Sequence, residues 1–181
     1  MTVETEIKLP LESALHGKRL LKRAGFRPRK RRALEQNTLF DTERGNLRRA
    51  GTALRIRQSR GRVILTYKGP LRPGKHKSRE ELEIEIGDAA QGARILARLG
   101  FGPVFSYRKF RTEYAGADSK GIICLDETPA GCFLELEGPP RWIERTRRAL
   151  GFRASDAITA SYIQLYTDAS IGAGAVLSGM V

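Results

Sequence analysis

Residues 78–86 read SREELEIEI, and the fold turns on this stretch. Side chains of a strand point alternately to its two faces, so Leu82, Ile84 and Ile86 share one face. Arg79, Glu81, Glu83 and Glu85 share the other. A strand with one face in water often alternates in this way. A row this densely charged is different, because neighbouring like charges repel unless cations on adjacent strands or bound metal ions neutralise them. The same design opens the chain. In TVETEIKL, residues 2–9, Glu4, Glu6 and Lys8 stand opposite Val3, Ile7 and Leu9. On its own this second row would be a wet strand edge; its repetition argues for a purpose.

Further strands extend the pattern. Thr52–Ser59 sets Leu54 and Ile56 against Arg55 and Arg57, and a tight SRGR turn leads into Val63–Lys68. Leu34–Thr42 is a strand ending in TLFDT, and Phe101–Ala115 carries Tyr107, Lys109, Arg111 and Glu113 on one parity. Ile122–Glu127 and Cys132–Glu137 form a hairpin across TPAG that presents Asp126, Glu135 and Glu137. Between the strands, helices are predicted at Leu11–Gly25, at Asp88–Gly100 with Asp88 as N-cap, and from Pro139 and Pro140 to Leu150. A short fourth helix is predicted over Ala157–Tyr166. GNLRRAG (Gly45–Gly51) is a helical turn, and Gly69–Lys77 is a basic loop. The RPRKRR run, Arg27–Arg32, has no interleaved aromatics for stacking on bases and is read as a solvated loop or strand edge.

Composition sets the limits. A chain of 181 residues with 40% hydrophobic content can bury a real core in one domain, predicted over residues 1–167, with a flexible glycine- and alanine-rich tail at 168–181. The formal charge of +13 points to an anionic partner without choosing it. No apolar run reaches the roughly 20 residues of a membrane span. Glu4 and Glu6 argue against a signal peptide. Cys124 and Cys132 sit in no CxxC pattern, so neither a disulfide framework nor a zinc site is expected, and the cytoplasm is the expected compartment. Neither His16 nor His76 has a partner at ligand spacing.

Many short, hairpin-compatible strands with helices at the turns predict an α+β protein built on an antiparallel barrel or strongly curved sheet. If the charged faces point inward, the interior is a hydrated tunnel, and the aliphatic faces bury against helices outside. Arginines and lysines in such a lumen can clamp a polyanion, and carboxylates are hard oxygen ligands for Mg²⁺ or Mn²⁺. That combination suits phosphoryl transfer, which depends on positioning and charge neutralisation. A lattice of internal ion pairs with no ligand is the other reading, and burying so many ions makes it costly.

The ordered series ETEIK (Glu4–Lys8), QNTLFDT (Gln36–Thr42), ALRIR (Ala53–Arg57), LTYKGP (Leu65–Pro70), SREELE (Ser78–Glu83), YRKFRTEY (Tyr107–Tyr114) and LDETPAGCFLELEG (Leu125–Gly138) resembles the CYTH proteins, or triphosphate tunnel metalloenzymes. The resemblance implies an eight-stranded antiparallel β-barrel with a charged lumen and helices packed outside. It implies that Glu4, Glu6 and Glu135 or Glu137 hold two Mg²⁺ or Mn²⁺ ions with help from Glu81 and Glu83, and Asp126 is counted with this acidic set. Arg55, Arg57, Lys68, Arg79, Lys109 and Arg111 would grip a triphosphate. Lys8 would contact it too and serve as the catalytic group beside the reacting phosphorus.

The family includes class IV adenylate cyclases, thiamine triphosphatases and inorganic triphosphatases. Leu39 stands where the thiamine triphosphatases carry a tyrosine, and Trp142 falls in a predicted outer helix, so thiamine triphosphate is not the expected substrate. TYKGP, the basic loop and SREELE look most like proteins labelled class IV cyclases. Hydrolysis of tripolyphosphate or a nucleoside triphosphate such as ATP is the expected activity. Conversion of ATP to cyclic AMP is the alternative, and a non-catalytic polyphosphate- or RNA-binding module a second one. Nucleic acid and membrane are not expected partners; a homodimer is compatible with an outer sheet surface.

Overall fold

In a computed structural model, which describes residues 3–116, 120–158 and 160–166, eight antiparallel strands close on themselves. In chain order the elements are β1 (Val3–Leu11), α1 (Ala14–Arg23), β2 (Arg27–Asp41), α2 (Asn46–Arg49), β3 (Ala53–Ser59) and β4 (Arg62–Lys68). They continue with β5 (Lys77–Ile86), α3 (Ala89–Arg98), β6 (Gly102–Ala115), β7 (Ile122–Thr128), β8 (Gly131–Glu137) and α4 (Pro140–Ala149). Around the barrel the order is β1-β5-β4-β3-β2-β6-β7-β8. β1 closes the ring by pairing with β5 through Val3–Glu6 and with β8 through Glu6–Leu11. The predicted eight-stranded tunnel is therefore the observed fold. The boundary and tail predicted at 167–181 lie outside the described residues.

The helices form where caps and apolar faces coincide. Ser13 accepts from the His16 amide at the start of α1, and Asp88 accepts from the Gln91 amide at the start of α3. α1 and α4 cover β1, β7 and β8, burying Leu9, Leu21, Ile123, Leu125, Leu134, Leu136, Trp142 and Ile143. A fully buried aliphatic of this kind contributes about 1.5–3 kcal/mol. α3 covers a smaller cluster around Phe40, Ile56 and Leu96. Both helices come this close because of a glycine: a Cβ on Gly17 would meet Leu11 Cδ1 at 2.6 Å, and one on Gly92 would meet Ile86 Cδ1 at 2.6 Å.

Three expectations are resolved by the fold. The Arg27–Arg32 run, read as a solvated loop or strand edge, is the latter: the exposed start of β2, pairing across bulges with the far end of β6 alone. Its charge is partly absorbed there: Lys30 pairs with Glu113, and Arg32 pairs with Glu127 while its guanidinium lies 3.4 Å from the Phe110 ring centroid. Second, the aliphatic faces are not all covered. Leu82 and Ile84 of β5 stay 52% and 62% exposed, because the helices dock on the other strands. Third, no continuous helix spans Ala157–Tyr166. Ile158 bridges to Lys8 as extended chain, its amide bonding the Lys8 carbonyl at 2.8 Å, and helical turns begin only at residue 162.

Candidate active site

Register decides which predicted residues meet. On the lumen side, β1 presents Glu4, Glu6 and Lys8, β3 presents Arg55 and Arg57, and β4 presents Thr66 and Lys68. β5 adds Lys77, Arg79, Glu81 and Glu83; β6 adds Tyr107, Lys109 and Arg111; β7 and β8 add Asp126, Glu135 and Glu137. Glu85, from the same row of β5, lies at the rim and pairs with Arg62 at 2.6 Å.

One corner is saturated with cations. Asp126 is fully buried, and both its oxygens are occupied. Lys109 Nζ donates to Oδ2 at 2.8 Å, the Arg111 fork donates to Oδ1 at 2.7 Å and Oδ2 at 2.6 Å, and the Tyr162 hydroxyl donates to Oδ2 at 2.6 Å. Glu135 is bonded by Arg111 and lies 3.4 Å from Lys8 Nζ. Burial alone would push Glu135 up, but Lys109, Arg111 and Lys8 outweigh it and hold the carboxyl well below the usual range. Glu35 of β2, 3.8 Å from Lys109 and 3.9 Å from Arg111, is held low against burial by the same cations. Lys8 donates to the Ala160 carbonyl at 3.0 Å and sits 4.2 Å from the Tyr162 ring centroid. Its own pKa is lowered by burial, against the pull of Glu135 and Glu6.

The second corner is acidic and underpaired. Glu4 is pushed up to about 10, first by burial, then by hydrogen bonds to the Glu81 and Glu137 carboxyls and the charge of Glu137. Glu81 is held down at about 2 despite burial, by Glu4, Lys68 and Arg79; Lys68 Nζ lies 2.6 Å and Arg79 Nε 3.2 Å from its Oε1. Lys68 is itself pushed down to about 8, by burial and then by Arg55. Beside this corner, Glu6 pairs with Lys77 at 2.6 Å. Glu83 stands apart, accepting from Thr66 at 2.9 Å and lying 3.4 Å from Arg55 and 3.6 Å from Arg57.

Glu4, Glu81 and Glu137 thus converge, with the proton held on Glu4. Among the described residues no three acidic, histidine or cysteine side chains already form a metal cage. The corner nonetheless fits a hard divalent cation, since a cation accepted by these oxygens would relieve the crowding that keeps Glu4 protonated. Asp126, expected in the acidic metal set, here serves as the buried counter-ion of Lys109 and Arg111.

Several lumen groups lie outside the expected site. Glu35 and Asn37 share a parity within the expected Leu34–Thr42 strand, and that alternation is the signal for their inward face. Lys77, at the end of the expected Gly69–Lys77 loop, begins β5. Tyr162 arrives from outside the barrel strands and stacks on Tyr107 at 5.6 Å, with no periodic signal to announce it. His76, without a sequence partner, lies 3.0 Å from Glu144 of α4 on the outer surface. Cys124, by contrast, is a buried thiol whose pKa burial pushes up, as expected of a structural residue.

A closed antiparallel tunnel with cations and carboxylates facing one another defines a class, and comparison identifies it. The chain belongs to the CYTH domain family, whose model matches residues 2–150. A Methanocaldococcus jannaschii protein named "putative adenylate cyclase" is 35% identical over 135 residues, covering 75% of this chain and 76% of that protein. The solved PH1819 protein of Pyrococcus horikoshii superposes with a TM-score of 0.78 at 28% identity, covering 92% of this chain and 99% of that one. A Hippeastrum protein, described as a "putative adenylyl cyclase" with dominant triphosphatase activity, shares the fold with a TM-score of 0.64 at 24% identity, over 98% of each chain. No helix among the described residues is long and apolar enough to cross a membrane.

Proposed function

We propose that this protein is a divalent-metal-dependent enzyme that cleaves a phosphoanhydride bond of a triphosphate, with water as the acceptor. The observation that carries the reading is the division of the lumen. The strand order sets β5, with Glu81, across the barrel from β6, with Lys109 and Arg111, and β8, with Glu137, across from β3, with Arg55 and Arg57. A triphosphate lying between these walls meets fixed cations on one side and oxygen donors for metal on the other.

Glu4, Glu81 and Glu137 would hold Mg²⁺ or Mn²⁺, with Glu6 and Glu135 beside them. The metal supplies charge neutralisation on the phosphoryl oxygens and a water of lowered pKa. The chain does the rest. Arg55 and Arg57 donate paired N–H groups to the non-bridging oxygens, and Arg111, its fork held by Asp126, contributes its charge. Lys68, Arg79 and Lys109 add point charges. Asp126 keeps Lys109 and Arg111 aimed inward, so their orientation is settled before the substrate arrives. Lys8 offers a buried ammonium to the phosphoryl group being transferred.

The test is product analysis. The purified protein is incubated with tripolyphosphate and with ATP, with each metal in turn, and the products are resolved. Orthophosphate, or ADP with orthophosphate, is expected. Cyclic AMP with pyrophosphate would establish the second reading, which the name of the Methanocaldococcus relative favours. No turnover of either substrate, with Glu4→Gln and Glu6→Gln indistinguishable from the parent, would remove the enzymatic reading altogether.

A further inference from the structure

Asn37 is 1% exposed, and neither its Nδ2 nor its Oδ1 has a hydrogen-bond partner among the described residues. It sits on the lumen side of β2, opposed by Arg57 on β3 and by Tyr107 on β6. The neighbouring pair on β2 and β3 joins Leu39 to Arg55, whose buried Nε is also unpartnered. Buried polar groups are nearly always paired, and a carboxamide left with both ends open is a group waiting for a partner that the described residues do not supply.

The chemistry of that partner follows from what the amide offers. Nδ2 can donate to a phosphate oxygen, but Oδ1 cannot, since ionised phosphates accept and do not donate. Saturating both ends takes a ligand with a donor next to an acceptor. The triphosphate group has none; a nucleoside has several, on the base edge and on the ribose. Asn paired through both ends to adenine N6 and N7 is a standard geometry of base recognition. Aromatic rings are close by: Tyr107, directly opposite Asn37, is 8% exposed and packs among Tyr162 at 5.6 Å, Tyr166 at 5.6 Å and Phe105 at 5.9 Å. An aromatic cluster beside a two-ended amide is suited to a flat polar ring.

We propose that Asn37 is a specificity-determining residue that reads the nucleoside of the substrate, so that the lumen selects a nucleoside triphosphate over inorganic triphosphate. The proposal rests on the triphosphate reading of the same lumen and narrows it to a substrate class.

The test compares kcat and KM for ATP, GTP, 2′-deoxy-ATP, 3′-deoxy-ATP and tripolyphosphate in the parent, Asn37→Ala and Asn37→Ser, with metal-loaded protein. Equilibrium competition between tripolyphosphate and a non-hydrolysable ATP analogue is measured alongside. Asn37→Ala is expected to lower kcat/KM for ATP by about 10- to 100-fold, the discrimination typical of a paired amide contact. Turnover of tripolyphosphate should stay within about threefold of the parent, and Asn37→Ser, which keeps a donor and an acceptor, should recover part of the loss. A base contact is marked by a loss that differs between ATP and GTP; a ribose contact by a deoxy-ATP that is already poor and insensitive to the substitution. Equal losses on ATP and tripolyphosphate, or no loss on either, overturn the assignment, the first result marking a structural or water-binding amide. Should the variants melt before assay, the parent still decides: analogue and tripolyphosphate competing equally, with ATP and tripolyphosphate both turned over, overturn the nucleoside assignment and leave the triphosphatase standing. Binding of neither overturns both.

Discussion

Two corners of one lumen are built from the same residue types and reach opposite electrostatic ends. Around Asp126, donors outnumber carboxylates: both Asp126 oxygens are engaged by Lys109, Arg111 or Tyr162, and the same cations hold Glu135 and Glu35 low. Around Glu4, carboxylates meet one another, and Glu4 keeps its proton. In the first corner Asp126 is satisfied as folded, and its part is to hold Lys109 and Arg111 in place. The second is incomplete, and a cation is what would complete it. Alternation places charge on the inner face, but it is the register between strands that decides which corner a given carboxylate joins.

The largest effect that tests this contrast is on stability. Asp126→Asn removes the charge facing Lys109 and Arg111 and leaves those cations buried; breaking a buried pair in this way costs about 3–5 kcal/mol. Denaturant unfolding should show that loss with or without metal. Glu4→Gln is predicted to do the reverse, leaving metal-free stability unchanged or raised, because a neutral amide relieves the crowding with Glu81 and Glu137. Activity with saturating Mg²⁺ or Mn²⁺ should fall about 100-fold or more, with a matching weakening of metal affinity by calorimetry. If Asp126→Asn were as stable as the parent, or Glu4→Gln fully active, the distinction between the corners would fail.

Much of this lumen is legible in the sequence, because strand parity is a local property. Glu4, Glu6 and Lys8, Arg55 and Arg57, Glu81 and Glu83, Lys109 and Arg111, and Glu135 and Glu137 all face inward as their alternation requires. What parity cannot carry is pairing. That Arg111 faces Asp126 is a property of the β6–β7 register, and that Tyr162 closes over both is a property of a segment outside the strands. The first half of β2 hides for another reason: Arg27–Arg32 is exposed throughout and has no apolar face to betray a period. Leu82 and Ile84 show the limit from the other side, since alternation identifies an outer face without saying what covers it.

The acidic corner should also announce itself in proton linkage. Glu4 has a folded pKa near 10 against an ordinary 4.5, so between those values the folded protein holds a proton that the unfolded chain has released. Its contribution to stability is full below about pH 4.5 and drains as pH rises toward 10. Lys68, lowered to about 8, begins to oppose this only at higher pH, so the window from about pH 5 to 8 isolates the acidic corner. Metal-free protein should lose stability across that window, and metal-loaded protein should not. Binding Mg²⁺ should release about one proton, seen as an apparent enthalpy that depends on the ionisation enthalpy of the buffer, and the affinity should tighten with pH. A flat stability profile with no proton released would mean that Glu4 is ionised without metal, and the contrast between the corners would shrink to one of degree.

The smallest effect comes from an ion cluster outside the barrel, where solvent weakens what the lumen amplifies. Glu144 on α4 bonds Arg147 at 2.8 Å, Lys75 at 3.0 Å and His76 at 3.0 Å, tying the loop before β5 to the helix after β8. These partners, Arg147 first, hold its pKa near 2, below the ordinary 4.5. A depressed carboxylate contributes stability above its unfolded pKa and loses it as pH falls through the folded one, so the contribution is whole at pH 7 and gone below about pH 2. Glu144→Gln should therefore destabilise by less than about 1 kcal/mol at pH 7, in keeping with an ion cluster near the surface. The difference from the parent should narrow as pH is lowered from about 4.5, and it should also narrow in high salt. The lumen pair Asp126–Arg111, closed off from water, should keep its full effect in the same salt. A Glu144 effect as salt-resistant as that of Asp126 would show that burial is not what separates the two sites.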